Sequence, residues 1–204
     1  MKEPDIPTNE AERLQALNEY RILGTKPEEN YDDITKIASL TCGAPIALLS
    51  LVDSNRQWFK AKVGIEAEET VRDWSFCAHA IHSSEPLIVE DALKDERFFD
   101  NPLVQGEPKI RLYAGFPLQN DKNLRIGTLC VIDREPHGLT DTQFSIMQSL
   151  SRQAVAFLEL RKRSINLIES FCSHTDSGSF ISTCSYCRKA KDTEGNWLHL
   201  DQYL

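Results

Sequence analysis

The chain has 204 residues, 41% of them hydrophobic, with 23 Lys and Arg against 31 Asp and Glu and a formal net charge of -8. That length suits one main core plus an appendage, and the acidic surplus excludes general affinity for nucleic acid, which needs clustered cations; the best exception, Arg161-Lys162-Arg163, is short. Residues 1–7 lack a signal-like apolar stretch and no later run approaches the roughly 18 apolar residues of a membrane span, so a soluble, cytoplasmic protein is expected.

In chain order, Leu14, Leu17, Tyr20 and Ile22 recur at near-helical spacing over residues 9–23. Thr8 or Asn9 is a suitable cap there, and Gly24 a suitable stop. Ile34, Ile37, Ala38 and Leu40 repeat the pattern over residues 31–42, ending at Gly43. Beyond Pro45 the period shortens. Residues 46–52 form an apolar run and residues 56–63 alternate in part, with Asp53-Ser54-Asn55 between them, which reads as an antiparallel hairpin.

Further strands are expected at residues 87–90, 110–118 and 124–132, the last two joined by the polar turn at residues 119–123. A loop and short helix around Cys77 precede the first of these. From Thr140 to about Phe171 neither Gly nor Pro interrupts the periodicity, which predicts one long helix. Phe144, Met147, Leu150, Ala154 and Phe157 suit a face packed on the sheet, while Leu158, Ile165, Ile168 and Cys172 continue as core, solvated extension or dimer seam. Asp176-Ser177-Gly178-Ser179 reads as a linker. This order of elements predicts an α+β, mixed α/β fold with an antiparallel sheet covered by helices.

Six cysteines are too few and too unevenly spaced for a secreted disulfide scaffold; Cys42, Cys77 and Cys130 lie in apolar segments and read as buried thiols. The chain carries no P-loop, dinucleotide fingerprint, cyclase or kinase motif, and no complete catalytic motif of any kind, so it is expected to act by binding rather than as an enzyme.

Four motifs occur in order: Asp73-Trp74-Ser75-Phe76-Cys77, Asp95-x-Arg97-Phe98, Arg111-x-Tyr113-Ala114-Gly115-x-Pro117-Leu118, and Gly127-Thr128-Leu129-Cys130-Val131-Ile132-Asp133. Together they resemble the GAF family, of the type found in bacterial and cyanobacterial signalling proteins and related to PAS domains. The resemblance covers residues 10–161. It implies a central antiparallel sheet of about six strands, flanked by helices, with a small-molecule pocket on one face and the terminal helices on the other. It also implies homodimerisation through those helices and a role in signal transduction, including two-component signalling. The expected organisation is an N-terminal tail over residues 1–9, a GAF domain over 10–163 that takes in the start of the long helix, and a helix extension with a small tail over 164–204.

On this reading the candidate ligand-binding residues are Trp74, Phe76, Cys77, His79, Arg97, Phe98, Arg111 and Tyr113. Bulky apolar groups interleaved with His79, His82, Asp95 and Arg97 are the mixture a pocket wall needs. Arg97 and Arg111 suit an anionic ligand, or equally a salt bridge to Asp91, Asp95 or Asp133. Trp74 and Tyr113 suit an aromatic wall, or plain core. On a helix, Cys77 and His79 face different ways while His79 and His82 share a face, which weakens a Cys–His nucleophile pair.

Family members that reduce free methionine sulfoxide carry a cysteine in a segment like that of Cys77, but need another where this chain reads Lys109-Ile110-Arg111-Leu112-Tyr113. A thiol-dependent redox sensor or reductase using Cys77 is therefore the alternative reading, and a dimerisation scaffold with a vestigial pocket a further one. Bilin attachment is not expected, because Cys77-Ala78-His79 is one residue out of step with the adjacent Cys-His pair of bilin-binding relatives. The Cys184-x-x-Cys187 tail, followed by basic residues and Trp197, resembles a tail on some PAS and GAF sensors. With His174 and His199, or Cys172, it is a candidate zinc site, since structural zinc needs four ligands. Expected partners are an unidentified small molecule, a second copy of the chain and a separate signalling output protein, with neither nucleic acid nor membrane.

Overall fold

A computed structural model describes residues 1–174, 189–191 and 197–199. The chain divides into a unit over Met1–Leu160 and another over Arg161–Leu204. In the first, helices α1 (Glu10–Glu19) and α2 (Glu29–Cys42) precede the hairpin β1 (Ile46–Val52) and β2 (Arg56–Val63). Then come β3 (Glu69–Val71), a 3₁₀ turn Arg72–Trp74, α3 (Phe76–Ala80), β4 (Leu87–Val89), α4 (Pro102–Gln105), β5 (Leu112–Gln119) and β6 (Arg125–Asp133). Helix α5 (Asp141–His174) begins in this unit and continues into the second, where β7 (Lys189–Lys191) and β8 (Trp197–His199) pair antiparallel.

The six strands of the first unit form one antiparallel sheet in the order β3-β2-β1-β6-β5-β4. The edge strand β3 is the one strand of this sheet that periodicity does not predict: three residues, two of them exposed, carry no pattern. No helix among the described residues is long and apolar enough to cross a membrane.

Helix boundaries follow local chemistry. Helix α2 ends at Gly43, whose φ of 65° is the left-handed conformation that glycine adopts without penalty, and Ala44 N–H then bonds back to the Ser39 carbonyl. Helix α5 opens with a capping box: Gln143 N–H donates to Thr140 Oγ1, and Thr140 N–H to Gln143 Oε1. The expected cap of α1 is Asn9, though without a side-chain hydrogen bond.

Strand alternation sorts side chains onto two faces. On one, Ala47, Leu49, Leu51, Ala114, Phe116, Leu118, Leu129 and Val131 pack against α1, α2 and α5. Met147, Ala154 and Leu158 supply the fully buried stripe of α5, so Leu158 belongs to this core. On the other face, Ile46, Leu48, Val52, Phe59, Tyr113, Cys130 and Ile132 meet α3 and the irregular segment around it.

An ion cluster locks the hairpin to α1. Arg13, 1% exposed, forks onto Glu10 at 2.8 Å from both Nε and Nη2, while its Nη1 donates to the Val52 carbonyl. Arg72 adds a bond of 2.6 Å to the other side of the cluster, on Glu10 Oε1, and also holds the Asp53 and Ser54 carbonyls. Burial raises the Glu10 carboxyl, but the two guanidiniums outweigh it and lower it to about 2.

A candidate ligand cavity and its buried thiol pair

Between the second sheet face and α3 lies a cavity of about 510 Å³. Its floor is Ile46, Leu48, Phe59, Tyr113 and Ile132; one wall is Phe76 and Cys77 of α3, the other the connection carrying Ile65, Glu66 and Ala67; Leu103, Glu107, Pro108 and Ile110 form the far rim. Gln57 and Thr70 are the uncharged polar side chains of the lining besides Cys77 and Tyr113. Among the described residues, no Lys, Arg or His lines it, and its charged groups are the carboxylates of Glu66 and Glu107, both exposed.

Local hydrogen bonds build the wall. Ser75 Oγ accepts from Ala78 N–H at 3.0 Å, capping α3, and donates to Gln57 Oε1 on the sheet, so the helix start is tied to β2. Asn101, 1% exposed, caps α4 through Leu103 N–H at 2.8 Å and donates from Nδ2 to the Trp74 carbonyl at 3.0 Å. On the opposite lip, Lys62 Nζ holds the Glu66 and Ala67 carbonyls and the Glu68 carboxylate.

Of the sequence-predicted site residues, Phe76, Cys77 and Tyr113 lie on the cavity wall and the other five do not. Phe98 stacks on Phe76 with centroids 3.9 Å apart, Phe76 leans on Tyr113 at 5.1 Å, and the Arg97 guanidinium sits 5.0 Å over Phe98. These residues form one column from surface to sheet, and only its inner end reaches the cavity. Arg97 is engaged bidentately by Asp95, at 2.9 and 2.6 Å. Arg111 Nη1 donates to the Val104 and Ile110 carbonyls, and Trp74 is 39% exposed.

His79 and His82 do share a face, but it meets the chain's own N-terminus: their Nε2–H groups donate to the Lys2 and Asp5 carbonyls at 3.1 and 2.7 Å. Burial, with Arg97 close by, lowers His79 to about 4. Nothing in the sequence pattern foretold this strap.

Residues 109–113 hold no cysteine, but a second thiol approaches Cys77 from another strand. Cys130 of β6 brings its Sγ to 3.9 Å from that of Cys77, and the Tyr113 hydroxyl donates to Cys77 Sγ at 3.3 Å. Both cysteines are free thiols. Tyr113 lies along the sheet because Gly115, two residues on along the same face, has no Cβ; one placed there would collide with the phenol ring. Gly127 likewise admits the Ser50 carbonyl of β1. Gln57, Thr70, Ile65 and the rim residues went unpredicted. The legible signal was polar residues inside apolar strands: Ser50 in β1, Gln57 in β2 and Thr128 in β6.

Cys184 and Cys187, and the side chains of His174 and His199, lie outside the described residues; among those described, no group of His, Cys, Asp or Glu could hold a metal.

The sheet order, the helical layer on one face and the hollow on the other define a GAF-type sensory fold. Residues 26–158 match the family described as GAF domain, well over half of the chain, and the chain belongs to that family. It is 40% identical over 170 residues to the cyclic di-GMP phosphodiesterase PA2567 of Pseudomonas aeruginosa, covering 83% of this chain but 29% of that protein. Among solved structures, the GAF domain of an Acinetobacter phosphoenolpyruvate-protein phosphotransferase superposes with a TM-score of 0.56 at 16% identity, covering 76% of this chain and 98% of the other. The PixJ GAF domain of Thermosynechococcus elongatus, in its blue-light absorbing form, gives 0.56 at 15% identity, covering 81% and 98%. At these identities the likeness is one of fold.

Proposed function

We propose that this chain is the sensory module of a signalling system and that its cavity takes a small, largely apolar ligand, neutral or cationic. The observation that carries this reading is the lining: apolar side chains over most of about 510 Å³, uncharged polar groups at Gln57, Thr70 and Tyr113, and carboxylates at Glu66 and Glu107, with no cationic side chain among the lining residues and the nearby Lys109 ammonium drawn to Glu107 at 3.8 Å. An anion such as cyclic di-GMP would lose hydration there without a compensating charge. Cyclic di-GMP turnover is proposed instead as the output that the module regulates, in keeping with its 40% identity to part of a phosphodiesterase of that substrate.

Relay to the helices runs through β5. Tyr113 of that strand touches the cavity, and Phe116, on the opposite face, packs edge-on against Phe144 of α5 with centroids 5.1 Å apart. The ligand gate is assigned to the lip at residues 64–70 and the rim at 103–110, because the segment 74–101 is anchored through Asn101, Ser75 and the buried Phe98. Association of two copies is supported by apolar side chains left exposed on the helical layer: Ile37, Leu40, Ile146 and Leu160.

Two dyes of one skeleton test the ligand class: neutral N-phenyl-1-naphthylamine and anionic 1-anilinonaphthalene-8-sulfonate. The neutral dye is expected to bind and brighten, the anion to bind more weakly, and Leu48→Trp to abolish both. Tighter binding of the anion, or binding indifferent to Leu48→Trp, would overturn the reading.

A further inference from the structure

Cys77 and Cys130 reach each other across 53 residues of sequence, from α3 and β6. Their positions are not equivalent. Cys77 lines the cavity, whereas Cys130 does not and is 0% exposed. One thiol faces an entering molecule and the second stands behind it, 3.9 Å away.

The surroundings suit an ionised sulfur. Tyr113 already donates to Cys77 Sγ. Ser50 and Thr128, register partners on β1 and β6, are both fully buried, and their hydroxyl oxygens have no hydrogen-bond partner in the resting geometry. Buried polar atoms without partners are rare enough to need a reason. A neutral thiol is a poor acceptor, so hydroxyl hydrogens gathered around it are poorly used; a thiolate accepts them strongly. Burial raises the Cys77 thiol, yet the neighbouring Cys130, the Tyr113 donor and the Thr128 and Ser50 hydroxyls that an ionised sulfur would recruit outweigh it and lower the group, while Cys77 and burial hold Cys130 well above the ordinary thiol range. Cys77, which has the Tyr113 donor and the cavity side, is the sulfur better placed to carry charge. By contrast, burial alone acts on Cys42 and pushes it up to about 11.

We propose that Cys77 and Cys130 form a two-thiol oxidation site at the base of the cavity, reduced by default and converted to a disulfide by a small apolar hydroperoxide. The Cys77 thiolate attacks the distal oxygen of the peroxide. The O–O bond breaks, the alkoxide leaves with the proton that Cys77 gave up, and Cys77 becomes a sulfenic acid. Cys130 then attacks that sulfur; the S–S bond forms, the S–O bond breaks, and hydroxide departs with the Cys130 proton as water. Two thiols lose two electrons and the peroxide gains them, giving disulfide, alcohol and water. Closing the sulfurs from 3.9 Å to a bond of about 2.05 Å draws α3 toward β6 and takes from Tyr113 its thiol acceptor. The site would thus give the cavity wall a second input, oxidant as well as ligand.

The 204-residue chain carrying Cys172→Ser, Cys184→Ser and Cys187→Ser retains Cys42, Cys77 and Cys130. One equivalent of cumene hydroperoxide, followed by alkylation under denaturing conditions and peptide mapping, should give a Cys77–Cys130 crosslinked peptide with Cys42 still alkylated. Cys77 should be consumed at least about tenfold faster than Cys42. With Cys130→Ala added, dimedone should trap Cys77 as its sulfenic acid. Cys77 and Cys130 both recovered as alkylated thiols, or Cys42 oxidised as fast as Cys77, would overturn the proposal, and the mapping of the chain that retains Cys130 decides this even if Cys130→Ala does not fold. A chain that binds the neutral dye but keeps its thiols defeats this site alone; one that forms the disulfide but binds no dye defeats the ligand reading alone.

Discussion

The two faces of the sheet are made from the same strands and put to opposite uses. Against α1, α2 and α5, the alternating residues Leu49, Leu51, Phe116, Leu129 and Val131 fill their space, and at the margin Glu10, Arg13 and Arg72 form an ion cluster. Across the pleat, the same strands carry Gln57 on the wall of a hollow and bury Ser50, Cys130 and Thr128 on the same face, and two of these leave hydroxyls without partners. Close packing is where a small domain finds its stability, so a cavity on one face must be carried by the other. In this chain the division between close packing and cavity runs through the plane of the sheet.

Truncations on the two faces should break that equivalence. Phe116→Ala removes a fully buried ring from the packed face and is expected to lose about 4 kcal/mol. Ile132→Ala removes a side chain that already borders empty space, so it should cost no more than about 2 kcal/mol while enlarging the cavity and changing its dye affinity. Urea midpoints for both variants check this, and equal losses would mean that the cavity face is packed as tightly as the other.

The ion cluster sharpens the comparison through pH. The Glu10 carboxyl is lowered to about 2 from an ordinary 4.5, so its stabilising effect is complete above pH 4.5 and is lost as pH falls through 2. At neutral pH, after solvent screening, it amounts to about 2 kcal/mol. Urea titrations at pH 5 and pH 2.5 should show wild type losing more stability than Glu10→Gln over that interval, with dye binding at pH 5 the same in both. Parallel losses would show that the cluster is not what ties α1 to the hairpin.

Gly115→Ala addresses the hollow face directly. The new methyl group collides with the Tyr113 phenol, which must lift away from Cys77. A loss of about 2 kcal/mol is expected from this overpacking, together with altered dye binding. Tyr113→Phe keeps the ring and removes only the hydroxyl, so it should leave dye affinity nearly unchanged.

The packed face was far more legible than the hollow one, for a physical reason. Filling a face requires apolar residues in a recognisable pattern, and that pattern is visible as the unbroken run at residues 46–52 and as the helical period from Phe144 to Leu158 without any knowledge of partners. A cavity has no period. Phe76, Cys77 and Tyr113 were reached through family motifs, whereas Gln57, Thr70 and Glu107 come from a strand interior, an edge strand and a loop, and only the fold brings them together. Cys130 is the clearest case. Its proximity to Cys77 follows from the register in which Leu48 faces Cys130 and from α3 lying over that face, neither of which spacing along the chain expresses. His79 misled in the other direction, because a histidine beside a ligand motif looks like a ligand contact until the N-terminal strap is seen lying on it.

That strap supplies the smallest effect and a final test of how the hollow face is closed. His79 is lowered to about 4, chiefly by burial, and donates to the Lys2 carbonyl with its ring edge against Phe98. Its ordinary value is 6.5, so the unfolded or detached state takes up a proton first; the strap's contribution is complete above pH 6.5 and declines as pH falls through 4. Arg97, Lys2 and His82 add positive charge around the ring and oppose its protonation, while Asp95 lies close enough to offset part of that. The ring is only partly buried, so after solvent screening the effect should be about 1 kcal/mol. Hydrogen exchange of the Lys2 amide, bonded to the Arg97 carbonyl at 3.2 Å, should accelerate relative to amides of β1 between pH 7 and pH 5 after correction for intrinsic rates. In His79→Gln, whose amide can donate but does not titrate, that extra acceleration should vanish. If it persists, the strap is released by another group, and the histidine that reads as part of the ligand site is only a packing partner of Phe98.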